Sequence, residues 1–215
     1  MEYKWLNKQN NNKLIIFFNG WGMDEHAVKH LEAEDYDIVM FYDYNNLDTD
    51  FCLDKEYSET NVVAWSMGVM IASICLSPHP NPILKKEKGN IVVINGTLKP
   101  IDVKYGINPK IYDLTIKGFN EESKDKFIDN MFDKRTPSPT LHLEEGVRTI
   151  DNLKSELVAL KNYKADLNFK PDKILISAND KIIPAKNQCA FWNIEPTLDG
   201  GHYPFFNFKK WSEIL

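Results

Sequence analysis

The segment Asn61-Val-Val-Ala-Trp-Ser-Met-Gly-Val69 decides the fold. Its apolar run ends at Ser66, and a helical pattern that reaches Leu76 begins directly afterwards. Ala64 and Gly68 flank the serine two positions away on each side, and a sharp strand-to-helix turn needs small residues there because larger side chains would collide. Such a turn raises the hydroxyl out of the sheet. The segment therefore predicts a nucleophilic serine, with a serine that only caps a helix as the alternative.

Short apolar runs recur on both sides of this segment. Each is rich in β-branched or aromatic residues and is too continuous to be a strand with one face in water. Helical patterns separate some of them, at Asp24–Glu34, Met67–Leu76 and Asn207–Leu215, with spacing that suits βαβ units. The sequence therefore predicts an α/β fold with a mostly parallel sheet flanked by helices. The predicted strands are Leu14–Phe18, Ile38–Tyr42, Val62–Trp65, Ile91–Ile94, Ile174–Ser177 and, more weakly, Trp192–Leu198.

One long interval lacks a strand pattern. Residues 99–170 contain helical patterns at roughly Pro109–Lys117, Glu121–Phe132 and Glu144–Tyr163. We interpret 99–170 as a helical insertion that acts as a lid, and 1–98 with 171–215 as the core. The insertion has 13 Lys plus Arg against 12 Asp plus Glu, whereas the core has 13 against 19, so the insertion is relatively basic.

The composition excludes several classes of protein. The chain has 215 residues, 43% of them hydrophobic, and a formal net charge of only -5, which does not suit a disordered chain or a general nucleic-acid or membrane-surface binder. No apolar run is long enough for a membrane span, and the polar start Met1–Lys13 is not a secretion signal. Cys52, Cys75 and Cys189 form no metal-binding or disulfide pattern. We expect a cytoplasmic monomer.

A nucleophilic serine needs a base and a carboxylate. Among five histidines, His202 follows the flexible Leu198-Asp-Gly-Gly201 segment after the last predicted strand. Asp180 lies on the turn after Ile174–Ser177, where it would orient the imidazole, with Asp199 and Asp43 as competitors. The order serine, aspartate, histidine along the chain is that of the α/β-hydrolase fold.

Two backbone amides are candidates for an oxyanion hole. Met67 follows the serine at a helix N-terminus, where N–H groups have no partner within the helix. The loop after the first strand contains Gly20, Trp21 and Gly22, and the glycines allow the Trp21 amide to approach a bound carbonyl. The alternative for this loop is a plain turn with a core tryptophan.

Four segments together resemble a known family. They are Phe18-Asn-Gly-Trp-Gly-Met23, Ala64-Trp-Ser-Met-Gly68, Asn179-Asp-Lys-Ile-Ile-Pro184 and Gly200-Gly-His-Tyr-Pro-Phe-Phe206. In this order they resemble the pimeloyl-[acyl-carrier protein] methyl ester esterases of the BioG kind, although Asn19 stands where many α/β-hydrolases have a histidine. The resemblance implies an esterase of biotin biosynthesis that uses no metal or organic cofactor and acts on an acyl carrier protein. It also implies the triad and oxyanion hole described above.

The contacts with substrate are less well defined by the sequence. Aromatic candidates for walls of an acyl channel are Trp21, Trp65, Phe127, Phe132, Tyr203 and Phe205. Because carrier proteins are acidic, a basic face would attract one, with an ordinary solvated surface as the alternative. The candidates for that face are Lys124, Lys126, Lys134, Arg135 and Arg148.

Three other functions stay open at this point. A thioesterase or a general short-chain esterase would use the same triad. An inactive binding module would keep the fold without the activity. A transferase would pass the acyl group to an acceptor other than water.

Overall fold

The computed structural model describes residues 1–77, 89–133 and 148–215 of the chain. These residues form one sheet with strand order β1-β3-β2-β4-β5-β6. Only β1 is antiparallel to its neighbour, and the other pairs are parallel. The strands are β1 Glu2–Asn7, β2 Lys13–Phe18, β3 Tyr36–Tyr42, β4 Glu59–Trp65, β5 Ile91–Ile94 and β6 Lys173–Leu175.

Both faces of the sheet are buried, as the continuous apolar runs predict. Alternate residues of β2 belong to different cores: Ile16 and Phe18 pack on one face, and Ile15 and Phe17 pack on the other. This follows from the two-residue period of a strand. The predicted α/β fold with a mostly parallel sheet is confirmed.

The edge strand β1 was not predicted. It alternates charged and aromatic residues and is half-exposed, so it has no continuous apolar run. It pairs with β3 through a register that shifts between Trp5 and Asn7. A charged, irregular edge of this kind also protects a sheet from pairing with another chain.

The helices of the core differ from the prediction at three places. Helix α1, Gly68–Cys75, is where it was expected. The segment Asp24–Glu34 forms only a 3-10 turn at Glu25–Ala27, and Glu32 then pairs with Lys210 in an isolated β-bridge. The segment Asn207–Leu215 likewise holds only short 3-10 turns. The prediction of a weak strand at Trp192–Leu198 was wrong. Helix α5, Ala185–Trp192, occupies the start of this segment, and of its described residues only Leu198 forms a β-bridge, with Ser177.

Among the described residues of the segment 99–170, three helices lie between β5 and β6. They are α2 Pro109–Gly118, α3 Glu121–Met131 and α4 Ile150–Asn162. Asn120 and Ser123 form a reciprocal capping box at the start of α3. These helices pack on both cores, through Leu153 and Leu157 on one side and Met131 on the other. The role of the segment as a lid stays a prediction.

Candidate active site

Ser66 lies on a strained turn between β4 and α1. Its φ is +58°, a left-handed conformation that costs about 1–3 kcal/mol for a residue with a side chain. Gly68 makes the turn feasible, because a Cβ atom there would lie 2.4 Å from the Phe18 carbonyl oxygen. Ala64 is fully buried beside Phe18 in the sheet. The small residues of the sequence pattern therefore match a real steric requirement of the turn.

The structure brings Ser66, His202 and Asp180 into one hydrogen-bonded line. His202 Nε2 lies 2.8 Å from Ser66 Oγ, and His202 Nδ1 lies 2.7 Å from Asp180 Oδ2. All three residues are at most 5% exposed. In this geometry the imidazole can take the serine proton while the carboxylate fixes its tautomer and balances its charge. The competing carboxylate Asp43 instead pairs with Arg148.

Asp180 is held by four donors. Its Oδ1 accepts the backbone N–H groups of Ile182 at 2.9 Å and Ile183 at 3.1 Å. Its Oδ2, which faces His202, also accepts a 2.8 Å hydrogen bond from Nε2 of the fully buried Gln188. Gln188 was missed by the sequence analysis, because α5 itself was missed. Its Oε1 has no partner among the described residues.

The loop that carries His202 is fixed through its own carbonyl oxygen. This oxygen accepts a 3.0 Å hydrogen bond from Trp65 Nε1 and a 2.9 Å hydrogen bond from Asn95 Nδ2. Asn95 follows β5 in a left-handed conformation, and its Oδ1 accepts the Ser177 amide at 2.7 Å. Asn95 thus joins the ends of β5 and β6 to the histidine loop. The sequence signal would have been an Asn-Gly pair directly after a buried strand.

The proposed oxyanion loop is fixed at its start by Asn19. Asn19 Oδ1 accepts the Gly20 amide at 2.9 Å, and its Nδ2 donates to the Asp24 carbonyl oxygen at 2.9 Å. This explains why an asparagine can stand at the histidine position of many α/β-hydrolases. Within the described part of the chain, the amides of Trp21 and Met67 have no hydrogen-bond acceptor. Both residues line the cavity that contains Ser66, so these N–H groups remain candidates for binding an oxyanion.

A cavity of about 240 Å³ opens over Ser66 and His202. Of the aromatic candidates, Trp21, Trp65 and Phe127 line it. Most of its walls were not predicted, and they come from the segment 99–170 and from the turn after Asp180. These further lining residues include Ile107, Ile111, Tyr112, Thr115, Leu157, Lys181 and Ile182.

The other three aromatic candidates do not line this cavity. Phe205 is fully buried in the second core, where it stacks edge-on against Phe17 and Trp65. The Tyr203 hydroxyl donates to a backbone carbonyl, and its ring lies 5.3 Å from that of Phe132. We therefore leave Phe132, Tyr203 and Phe205 out of the acyl site, and assign them to the packing beneath it.

Arg148 is not on a docking face. Its side chain is only 7% exposed and forms ion pairs with Glu156 at 2.9 Å and Asp43 at 3.1 Å. Burial raises the pKa of Glu156, and the Arg148 charge opposes that rise. Burial also acts to raise the pKa of Asp43, but hydrogen bonds from Asn45 and Asn152 and the Arg148 charge outweigh it and lower the pKa. The prediction of Arg148 as a carrier contact was wrong.

The remaining basic candidates are of two kinds. Lys124 pairs with Glu121 at 3.3 Å, and Lys126 pairs with Glu122 at 2.6 Å, both along the surface of α3. Such exposed pairs are worth less than about 1 kcal/mol, so both lysines could exchange partners with an acidic protein. Lys134 and Arg135 lie outside the described residues, and their role stays a prediction.

Within the described ranges, one group of potential metal ligands lies apart from the serine. Donor atoms of Asp24, Glu25 and His26 lie within 4.8 Å of one another. They already have partners, because Asp24 Oδ1 contacts the His26 amide and ring nitrogen, and Glu25 pairs with Lys4. We assign no metal to this group.

Comparison with known proteins points to one family. The family model described as "Pimeloyl-ACP methyl esterase BioG" matches residues 1–214. The crystal structure of BioG from Haemophilus influenzae is similar, with a TM-score of 0.86 and 29% identity, covering 100% of this chain and 99% of that one. A lipase-esterase related protein from Clostridium acetobutylicum shares the fold, with a TM-score of 0.56 and 14% identity, covering 94% of this chain and 92% of that one.

A curated relative is much longer than this chain. It is the malonyl-[acyl-carrier protein] O-methyltransferase of Bacteroides fragilis, 37% identical over 196 residues. The match covers 88% of this chain but only 39% of that protein's length. Separately, no helix within the described ranges has the length and hydropathy to span a membrane.

Proposed function

Because this chain belongs to the BioG family and is a carboxylic ester hydrolase, we propose that it hydrolyses the methyl ester of pimeloyl-[acyl-carrier protein] in biotin biosynthesis. The observation that carries the proposal is the hydrogen-bonded line of Ser66, His202 and Asp180, which ends in an apolar cavity. Ser66 is the nucleophile, His202 the base and Asp180 the carboxylate that orients it.

The reaction has two halves that share the same groups. His202 takes the Ser66 proton as Oγ attacks the ester carbonyl, and the resulting oxyanion accepts hydrogen bonds from the Met67 and Trp21 amides. The tetrahedral species collapses, and the methoxide leaving group takes the proton from His202 and departs as methanol. Water, deprotonated by His202, then attacks the acyl-enzyme, which releases the free carboxylate and restores Ser66.

The apolar walls of the cavity support the proposal that the central part of the substrate is an acyl chain. Ile107, Ile111, Phe127 and Leu157 supply apolar walls beside the serine, as methylene groups require. The polar groups that converge on one point are Ser66, His202 and the two amides, so the reactive ester would bind there. Lys181 also lines the cavity and is exposed.

The activity in the name of the longer relative supports methanol as the leaving group. That protein is named as an O-methyltransferase of malonyl-[acyl-carrier protein], and methyl transfer to a carboxylate oxygen creates a methyl ester on a carrier-bound acid. An esterase related to part of that chain would remove the same kind of ester. We propose an acyl carrier protein as the partner, and a cytoplasmic monomer remains our prediction.

The test is methanol release from pimeloyl-carrier methyl ester, compared with the same acyl ester on a short soluble thiol. We expect release from both, with a higher kcat/KM for the carrier-bound form. Free thiol is measured in the same reaction, because a thioesterase would release thiol instead of methanol. Thiol release without methanol would contradict the proposal and favour the thioesterase.

A further inference from the structure

Trp21 connects the proposed oxyanion hole to the helices of 99–170. Its backbone N–H is a proposed oxyanion donor, whereas its indole Nε1 donates a 3.1 Å hydrogen bond to the carbonyl oxygen of Leu153 on α4. The two residues are 132 positions apart in the chain. Trp21 is 6% exposed, so this hydrogen bond is shielded from water.

Aromatic packing holds the same indole ring. Phe119 and Phe127 contact it edge-on, with ring centroids at 5.1 Å and 5.0 Å. Edge-on pairs of this kind contribute about 0.5–1.5 kcal/mol beyond the area they bury. Phe119 follows α2 and Phe127 lies on α3, so α2, α3 and α4 all contribute to the site of the ring.

Glycines flank Trp21 in a turn that one backbone hydrogen bond closes, from the Met23 amide to the Gly20 carbonyl oxygen at 3.3 Å. Gly20 and Gly22 are its neighbours, and Gly22 has a φ of +73°. Glycine has the widest choice of backbone conformations, so this turn alone leaves the Trp21 amide some freedom to reorient. Leu153 lies close by, since its Cδ2 is 3.4 Å from the place that a Cβ atom would take at Gly22. The side chain of Trp21 therefore adds a long-range restraint on the position of its own amide.

Helix α4 is itself fixed to the sheet by buried charge. Glu156 Oε1 accepts the Tyr44 amide at 2.7 Å, directly after β3. The Glu156 carboxylate also pairs with Arg148, which pairs with Asp43. Removing one member of such a buried group leaves an unpaired charge and is strongly destabilising. Because α4 is held in this way, the position of the helix determines where the Leu153 carbonyl oxygen accepts the Trp21 indole N–H.

We propose that Trp21 is a positioning residue through which helix α4 sets the geometry of the oxyanion hole. The amide reaches its working position only when the helix is docked and accepts the indole N–H. A ligand that shifts α4 would therefore change the rate of the chemical step. This inference rests on the proposed function, because it takes the Trp21 amide as an oxyanion donor.

The experiment compares Trp21→Phe with Tyr57→Phe on a small soluble methyl ester. Trp21→Phe keeps the backbone amide and an aromatic ring but loses the indole donor. Tyr57→Phe is the matched control, because it removes a different aromatic donor that does not hold α4, the hydroxyl that donates to Asp37 Oδ2 at 3.0 Å near the start of β3. We expect kcat to fall about 10- to 100-fold in Trp21→Phe with KM changed by less than about threefold. Affinity for a trifluoromethyl ketone that forms the tetrahedral adduct should fall in proportion.

Two results would overturn the inference. One is an unchanged kcat in folded Trp21→Phe, and the other is an equal loss in Tyr57→Phe. If Trp21→Phe does not fold, Glu156→Gln is tested in its place, as a change that loosens α4. The glutamine keeps an acceptor for the Tyr44 amide but removes the charge that pairs with Arg148. A kcat-selective loss supports the coupling, and an unchanged kcat contradicts it. Failure of the proposed function is distinct, since the wild type itself would then not hydrolyse the ester.

Discussion

The indole Nε1 of Trp65 donates a 3.0 Å hydrogen bond to the carbonyl oxygen of His202. The residue directly before the proposed nucleophile thus holds the loop that carries the proposed base. Asn95 donates to the same oxygen at 2.9 Å from the end of the neighbouring strand. The loop that carries the imidazole is therefore held by two donors at the ends of adjacent strands, Trp65 at the end of β4 and Asn95 directly after β5.

Asn95→Asp should disrupt this arrangement while keeping the side-chain shape. A carboxylate cannot donate to the His202 carbonyl oxygen, and aspartate tolerates the left-handed backbone at this position. We expect kcat to fall about tenfold and the free energy of unfolding to fall by about 1–3 kcal/mol. Steady-state kinetics and urea unfolding measure the two effects. Asn90→Asp, the same change at an exposed residue, is the control, and equal effects in both variants would argue against a role for Asn95.

Gly68→Ala tests whether the turn at Ser66 needs a glycine. The added Cβ would lie 2.4 Å from the Phe18 carbonyl oxygen, so the backbone must shift. We expect the free energy of unfolding to fall by about 1–3 kcal/mol, with a loss of activity because Ser66 moves. Gly118→Ala is a matched control, because nothing lies within 4 Å of a Cβ there, and it should be neutral or raise stability by up to about 1 kcal/mol. A Gly68→Ala variant as stable as the wild type would contradict this account of the turn.

Gln188→Glu tests how the carboxylate of the triad is held. Gln188 Nε2 donates to Asp180 Oδ2, the oxygen that also faces His202, so a second carboxylate there would repel the first. Extra negative charge favours protonation of nearby groups, so the acidic limb of the kcat/KM profile should move to higher pH by about one unit. Gln188→Leu removes the donor without adding charge, and should lower kcat without moving that limb. Identical pH profiles for Gln188→Glu and the wild type would argue against this role.

Lys126→Glu tests the predicted attraction of an acidic carrier. Lys126 is exposed on α3, and reversal of its charge should raise KM for the carrier-bound ester about three- to tenfold while sparing a small ester. The effect should shrink at about 0.5 M salt, because exposed charges are then screened. Lys29→Glu, also exposed, controls for the change in net charge. An equal loss on both esters in Lys126→Glu would remove the docking role.

Arg148→Gln should instead lower the free energy of unfolding by about 3–5 kcal/mol and affect both substrates alike.

The sequence was informative where one short segment carries the signal by itself. The continuous apolar runs predicted the parallel strands, and Ser66, with its small neighbours, predicted a turn that the structure contains. The pairing with Asp180 and His202 followed from motif order, and their side chains do meet. Edge strand β1 lacked such a signal because half of its residues face water.

Long-range contacts explain most of what sequence reasoning missed. Asn95 acts on a carbonyl 107 positions away, and its importance depends on how two strand ends meet. Arg148 looked like a surface cation because a sequence does not show that Asp43 and Glu156 surround it. The acyl cavity was mostly missed for the same reason, since its walls come from helices whose inward faces depend on packing against the sheet.

Covalent labelling tests the central claim most directly. The wild type and Ser66→Ala would be treated with a fluorophosphonate probe, and the modified peptide would be located by mass spectrometry, with methanol release measured on the same samples. Ser58→Ala, the same substitution at an exposed serine, is the control. We predict one label on Ser66 in the wild type and in Ser58→Ala, and neither label nor turnover in Ser66→Ala. Turnover that persists in Ser66→Ala, or a wild-type label on a different residue, would contradict the account.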